Sequence, residues 1–516
     1  MKASEYKVSP DKFVFASDKD LLHDQKMQTK PVSYLKDAFY RFKRNHASIT
    51  AGIIIGILLL FAIIGPFLTN YTVKYTDTYY RNNYPKNELF YNLGIHFWDG
   101  GINKESTAQD FYKEYAKGIE TGKYAVMNNK YTTYKATTLS KKEVTYYKYR
   151  YDSIYSVGVV MIDLQPEEYR NLQDYQDKTG IQVIYPVADQ TKLKNNVAQQ
   201  DMGNIGNFWY QTEIKNTKTT IVFDEDGNFI PIYKAYSGSD DYYSKVRYEE
   251  GIQYDYAIKN QTGYSVRVDY YEYYIYYHTE ILKDGITKPL FIFGTTNAGQ
   301  DIFACLANGA RFSFILSIIV ASINLIVGAI YGAIEGYYGG TIDLVMERIV
   351  DILAAIPFII VITLLKFHYE NTSQALLLFI SFFLTGWIGM ASRTRMQFYR
   401  FKNQEYVLAA RTLGAKDKRI MFKHIFPNAI GTLITSMILV IPGVIFSETT
   451  LTYLGIIDLT TSGTTSVGTL LATGRLYISS YPHMILFPSI FISLLMLSFN
   501  LFGNGLRDAF NPSLRG

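Results

Sequence analysis

The sequence predicts an α-helical polytopic membrane protein with six transmembrane helices and an inserted α+β extracellular domain. Three observations carry this prediction. The mean hydropathy is near zero, at −0.02, yet the apolar residues are segregated into blocks rather than spread along the chain. Six blocks approach the length of about 20 residues that crosses a bilayer. A long polar stretch separates the first block from the second and is large enough to be a domain of its own.

Taken in order, residues 1–47 form a segment with an amphipathic helix, ending in the basic cluster Arg41, Lys43 and Arg44. Residues 48–69 hold the first transmembrane helix, with an uncharged run over 49–68. The preceding positive charge orients the N-terminus inward. A secretory signal would lie at the extreme N-terminus with a shorter apolar core, so this run reads as a retained anchor.

Residues 70–289 are then placed outside. Most of the 46 tyrosines lie here. Residues 219–223 and 229–233, joined by Asp224-Glu-Asp-Gly-Asn228, read as a hairpin with a Gly-containing turn. That turn lacks the ligand run and closing Glu of a calcium loop. Residues 264–270 alternate as a half-buried strand would. Pro166, Glu167 and Glu168 mark a helix start. The cluster Tyr270-Tyr-Glu-Tyr-Tyr-Ile-Tyr-Tyr277 reads either as a binding face or as the apolar faces of strands.

Residues 290–506 contain the other five spans, at 312–334, 349–367, 374–391, 429–446 and 483–502, and residues 507–516 are an inward C-terminal tail. Gly386 and Gly389 blur the end of the fourth span. Six crossings place both termini on one side, and the inward loops carry Arg348, Arg393, Arg395, Arg400, Lys402, Arg411, Lys416, Lys418, Arg419 and Lys423. The outward loop 370–373 has no Lys or Arg, as the positive-inside rule requires. Pro357 and the Pro442-Gly443 pair are expected to interrupt their spans. Asp351 and Glu448 lie in or near apolar spans, where an ionisable group faces either a pathway or the packed bundle interior.

The inward loop 400–428 is the most informative segment. Ala409 and Ala410 give a short helix a small-residue face, Gly414 supplies a left-handed C-cap, and Pro427 marks the start of the next helix. Such a helix can plug into a soluble partner. It reads equally as an ordinary basic connector.

Catalytic chemistry is not expected. The sequence has no Gly-x-x-x-x-Gly-Lys-Ser/Thr loop, and its seven histidines include no His-Glu-x-x-His and no metal-ligand spacing. The single Cys305 precludes an intrachain disulfide. His368 and His424 read as interfacial or capping residues. No nucleic-acid or metal partner is expected.

Four segments resemble the C-type permease of the oligopeptide/dipeptide ABC importers (OppC/DppC type), which includes related peptide and nickel importers. These are Phe293-Gly-Thr-Thr-Asn-Ala-Gly-Gln-Asp301 with Ala310-Arg-Phe-Ser313; Arg348-Ile-Val-Asp-Ile-Leu-Ala-Ala-Ile-Pro357; residues 406–428; and Phe499-Asn-Leu-Phe-Gly-Asn-Gly-Leu-Arg-Asp-Ala-Phe-Asn-Pro512. Residues 42–66 share the resemblance. Leu408 departs from the first position of the family's Glu-Ala-Ala triplet, and Thr296 and Gln300 replace the usual Asp and Arg. The family joins its first two spans by a short segment, so residues 70–289 are an insertion.

The resemblance implies an ABC type I importer permease fold in a bacterial cell membrane, translocating oligopeptides. It implies a second homologous permease of OppB/DppB type, two ABC ATPase subunits that use ATP and Mg, and an extracellular peptide-binding protein. This chain would bind no cofactor, sit in membrane lipid, and engage the ATPases through Leu408, Ala409, Ala410, Arg411, Gly414 and Pro427. Nickel or another small solute is the alternative cargo. A membrane-anchored surface receptor or adhesion module is the alternative of another class, but an anchor needs one span, not six.

Overall fold

The computed structural model describes residues 34–96, 98–137, 143–192, 205–215, 218–237, 254–460 and 463–510. Helix α1 (Tyr34–Arg44) ends on its basic cluster, and α2 (His46–Ile64) starts at Asn45, whose side chain accepts from the Ser48 amide at 3.2 Å. That bond satisfies one of the free amides at a helix start. Sequence and structure agree on this first apolar helix.

Between α2 and residue 302 the chain is mixed strand and helix. It contains α3 (Glu88–Asn92), β1 (Gly101–Thr107), α4 (Ala108–Thr121), β2 (Val126–Thr137), β3 (Glu143–Asp152), β4 (Val159–Leu164), α5 (Pro166–Thr179), β5 (Ile184–Tyr185), β6 (Thr212–Lys215), β7 (Lys218–Ile221), β8 (Ala257–Lys259), β9 (Tyr264–Asp269) and α6 (Tyr270–Tyr276). The strands form an antiparallel β1-β3-β2 sheet, a β4-β9-β5 sheet with β8 also paired to β9, and a β6-β7 pair. Helix α5 begins as expected: Pro166 sits in its first turn and the Glu168 side chain reaches back to the Gln165 amide at 2.8 Å.

Three local expectations are corrected. β7 pairs with β6 rather than with residues 229–233, and the 224–228 turn is closed by the antiparallel bridge Phe223 to Phe229. The Asp224 side chain takes the amides of Asp226 and Asn228, which folds the turn without a ladder. β9 is not half-buried: Val266, Arg267, Val268 and Asp269 are all buried, because the strand is central in its sheet. Arg267 enters that core by forming two bonds, of 2.9 and 2.7 Å, to the Glu120 carboxylate on α4.

The tyrosine cluster is helical. Asp269 caps α6 through the Tyr271 amide, and Tyr270, Tyr274 and Tyr276 turn into the core. Two of the three hydroxyls find partners there, Tyr274 donating to Tyr71 at 3.0 Å and Tyr270 to Asp77 at 2.8 Å. In a region short of Leu and Ile, tyrosine supplies the buried area.

Among the described residues, five helices are long and apolar enough to cross a membrane, or six if one bent pair is a single span. After α2 come α7 (Ile302–Tyr338), α8 (Gly340–Ala354), α9 (Phe358–His368), α10 (Gln374–Gly386), α11 (Ile388–Phe401), α12 (Glu405–Thr412), α13 (Asp417–Arg419), α14 (Phe426–Tyr453), α15 (Val467–Arg475) and α16 (His483–Phe510). α7 starts ten residues before the expected boundary because Asp301 caps it. The third span is the bent pair: α8 and α9 meet at 71° across Pro357, which lacks the amide that a continuous helix needs. Pro442 and Gly443, by contrast, do not interrupt α14. α16 continues to Phe510, into the segment expected as a tail. Residues 511–516 lie outside the described residues.

Candidate functional site

The segment between α11 and α14 is built on a hydrophobic socket. Val407 of α12 and Ile420, Met421 and Ile425 beyond it are buried against Ala333 and Tyr337 of α7 and Phe398 of α11. Tyr337 donates to Asp417 at 2.6 Å, and the Tyr406 hydroxyl accepts from Asn428 at 3.2 Å. The segment is therefore clipped to the main bundle at both ends.

Gly414 ends α12 as expected, with φ +81°. Its amide bonds the Arg411 carbonyl and the Ala415 amide bonds the Ala410 carbonyl, each at 3.0 Å. This is the Schellman pair, which satisfies the carbonyls a helix end leaves free. A side chain built at Gly414 would meet nothing within 4 Å, so glycine is required here by backbone conformation, not by crowding within this chain.

One detail is corrected. Ala409 and Ala410 do not share a face: Ala410 packs inward beside Val407, while Ala409 is exposed with Leu408 and Arg411. Neighbouring helical positions lie 100° apart, so only one can face the socket. Pro427 lies in the first turn of α14, as expected, but α14 is not separate from what precedes it. The helical run is continuous from Asp417 to Tyr453, and a π-helical stretch over Ile420–Ile425 leads into the proline. The wider turn relieves the missing amide and ring clash of Pro427.

The outward surface carries Leu413, 88% exposed, with Leu408, Phe422 and Tyr406 also exposed. Exposed Arg411, Lys416, Lys418, Arg419 and Lys423 surround them. Burial pushes the Tyr406 phenol up and the Lys402 ammonium down from their ordinary values. A protruding apolar tip ringed by cations suits a protein docking surface. Among the described residues no cluster of His, Cys, Asp or Glu is suited to hold a metal ion.

The intramembrane candidates separate. Glu448 is fully buried and accepts from Ser313 at 2.9 Å, which ties α14 to α7 within this chain. Asp351 is exposed on α8 and pairs with Arg348 at 3.0 Å, so it does not face this chain's bundle interior. Pro357 lies at the exposed α8–α9 break. The socket residues Tyr337 and Phe398 were not singled out from sequence. A usable signal was present in Gly328, Gly332 and Gly336, whose four-residue spacing brings α7 against α11.

Residues 324–516 match the family described as binding-protein-dependent transport system inner membrane component. Residues 33–85 match the N-terminal transmembrane domain of oligopeptide transport permease C. The sequence is 42% identical over 223 residues to the oligopeptide transport system permease protein OppC of Bacillus subtilis, covering 43% of this chain and 72% of that protein. The dipeptide permease DppC of the same organism is 39% identical over 43% of this chain and 69% of its own length. OppC of Haemophilus influenzae is 37% identical, over 43% and 70%.

Proposed function

From the premise that this chain belongs to the oligopeptide and dipeptide permease family of binding-protein-dependent transport systems, we propose that it pairs with a second permease of OppB/DppB type to move oligopeptides inward. The chain is a multi-pass membrane permease component and not an enzyme. ATP and Mg are used by two partner ATPases, and an extracellular binding protein delivers the peptide.

The observation that carries this reading is the Gly414-capped segment, clipped to α7 and α11 on one side and bare on the other. An ATPase surface fits its exposed Leu408, Ala409, Arg411 and Leu413. In this arrangement both termini and the segment face the cytoplasm, while residues 70–289 form an inserted α+β domain outside. That domain rests on the helices: the Trp98 ring stacks on Phe293 and Phe487, and Tyr84 donates to the Ser480 carbonyl at 2.8 Å. It is placed to guide a binding protein onto the membrane core.

The test is affinity purification of the chain from its own membranes in mild detergent. Recovery of a second permease and two ATPases is expected. Recovery of the chain alone across several detergents would instead favour a free-standing surface receptor.

A further inference from the structure

Helix α8 is barely held by the rest of the chain. Among its residues only Val350 is buried, and Ile342, Leu344, Val345, Ile349 and Ile352 are exposed. Its polar attachments converge on one side chain. Arg395 of α11 grips Asp343 with two bonds, of 2.6 and 3.0 Å, and lies 3.4 Å from Glu347. Tyr399 adds a bond to Asp343 at 2.7 Å, and Tyr331 of α7 donates to the Met346 carbonyl at 2.8 Å.

A third carboxylate stands behind the guanidinium. Glu335 of α7 is fully buried, and its polar neighbours are the Glu347 carboxyl and the Arg395 guanidinium, to which it makes no well-formed hydrogen bond. Arg395 Nε lies 3.4 Å from it without bonding geometry. A buried carboxyl without a well-formed bond to the nearest cation is costly, so its retention beside an arginine whose hydrogen bonds go to Asp343 calls for a cause. The backbone under it is stiff. Side chains built at Gly332 and Gly336 would run into the backbone of Ala391 and Arg395, so α7 and α11 touch main chain to main chain.

We propose that Arg395 is an exchange clamp. In this conformation it holds Asp343 and Glu347 of α8; when α8 swings away, the guanidinium turns to Glu335, which is already within reach. The waiting acceptor keeps the arginine paired in both states, so two discrete arrangements replace one bond and an unpaired charge. Arg395 is thus a positioning residue. The α7–α11 pair carries the socket of the 405–425 segment through Ala333, Tyr337 and Phe398. Movement of that segment would switch the clamp and reach the bent α8–α9 span.

This inference rests on the transport role proposed above, and its test separates the two. Spin labels are placed at exposed Leu344 and Met396 in the assembled transporter in nanodiscs, the native Cys305 being buried. Distances are measured with and without Mg-ATP, alongside uptake of a radiolabelled peptide delivered by the binding protein. A second, longer distance is expected with Mg-ATP. Glu335→Gln keeps the Asp343 grip and the thermal stability, yet should lose the second distance and cut uptake by about tenfold, a typical coupling factor. Arg395→Gln should broaden the distances in both conditions. A single unchanged distance in the parent protein overturns the proposal, as does normal uptake with both distances in Glu335→Gln. If the distances switch and Glu335→Gln abolishes the switch but no peptide enters, the clamp stands and the cargo reading fails.

Discussion

Ser313 donates to Glu448 across 2.9 Å, tying α7 to α14 where neither residue meets solvent. Thr452 lies 3.4 Å from the other carboxyl oxygen. Glu448→Ala should strand the Ser313 hydroxyl and open a cavity, at a cost of roughly 1–3 kcal/mol. Glu448→Gln keeps an acceptor and should be milder. Thermal unfolding in detergent, followed by size exclusion, ranks the two; equal stability of Glu448→Ala and the parent would refute the packing role.

Arg267 and Glu120 make a similar bond in the mixed region, with both side chains almost wholly buried at 2% and 4% exposure. Glu120→Ala leaves a guanidinium with only the carbonyl oxygens of Gly206 and Pro186. The expected destabilisation is about 3–5 kcal/mol. Limited proteolysis of membranes should then cut between α2 and α7 while the helices survive; an unchanged digestion pattern would count against this.

Asp301 gives a pH dependence. It caps α7 through the Ala304 amide at 3.0 Å, and burial pushes its carboxyl up to about 7 from 3.8. The folded protein therefore holds a proton that the unfolded chain has released. Its stabilising contribution is complete below pH 3.8 and is lost as the pH rises through about 7. Asp301→Asn keeps an acceptor without the charge. It should match the parent at pH 4 and melt higher at pH 8; the reverse order would contradict the shift.

Gly414 adopts φ +81° with open space around its missing side chain. Gly414→Arg should cost the fold only about 1–2 kcal/mol of left-handed strain. The chain should still assemble in the membrane, while peptide uptake is abolished because the new side chain obstructs the docking surface. Normal uptake with normal expression would remove this segment from the coupling role.

The sequence determined the apolar helices, the helix start at Pro166, the left-handed cap at Gly414 and the break at Pro357, because each follows from local chemistry: length of an apolar run, a missing amide, a missing Cβ. It misjudged what depends on neighbours. Residues 270–277 carry tyrosines that suit a strand or a helix, and only the Asp269 cap and the Tyr71, Asp77 and Phe291 surroundings make them helical core. β9 gains its double burial from segments distant in the chain: Val160, Leu172 and Ile184 pack on Val266 and Val268, and Glu120 and Gly206 hold Arg267 on the other face.

The site divides the same way. Pro442 alone reads as an interruption, but α14 continues through it. Asp351 and Glu448 look alike in sequence, each an acid in an apolar run. Tertiary structure sends one to the surface beside Arg348 and the other to a buried pocket of hydroxyls. Arg395 counts in sequence only as one positive charge among many. Its convergence with Glu335, Asp343 and Glu347 exists because the glycines of α7 let α11 approach, and that closeness is a property of packed helices rather than of any one segment.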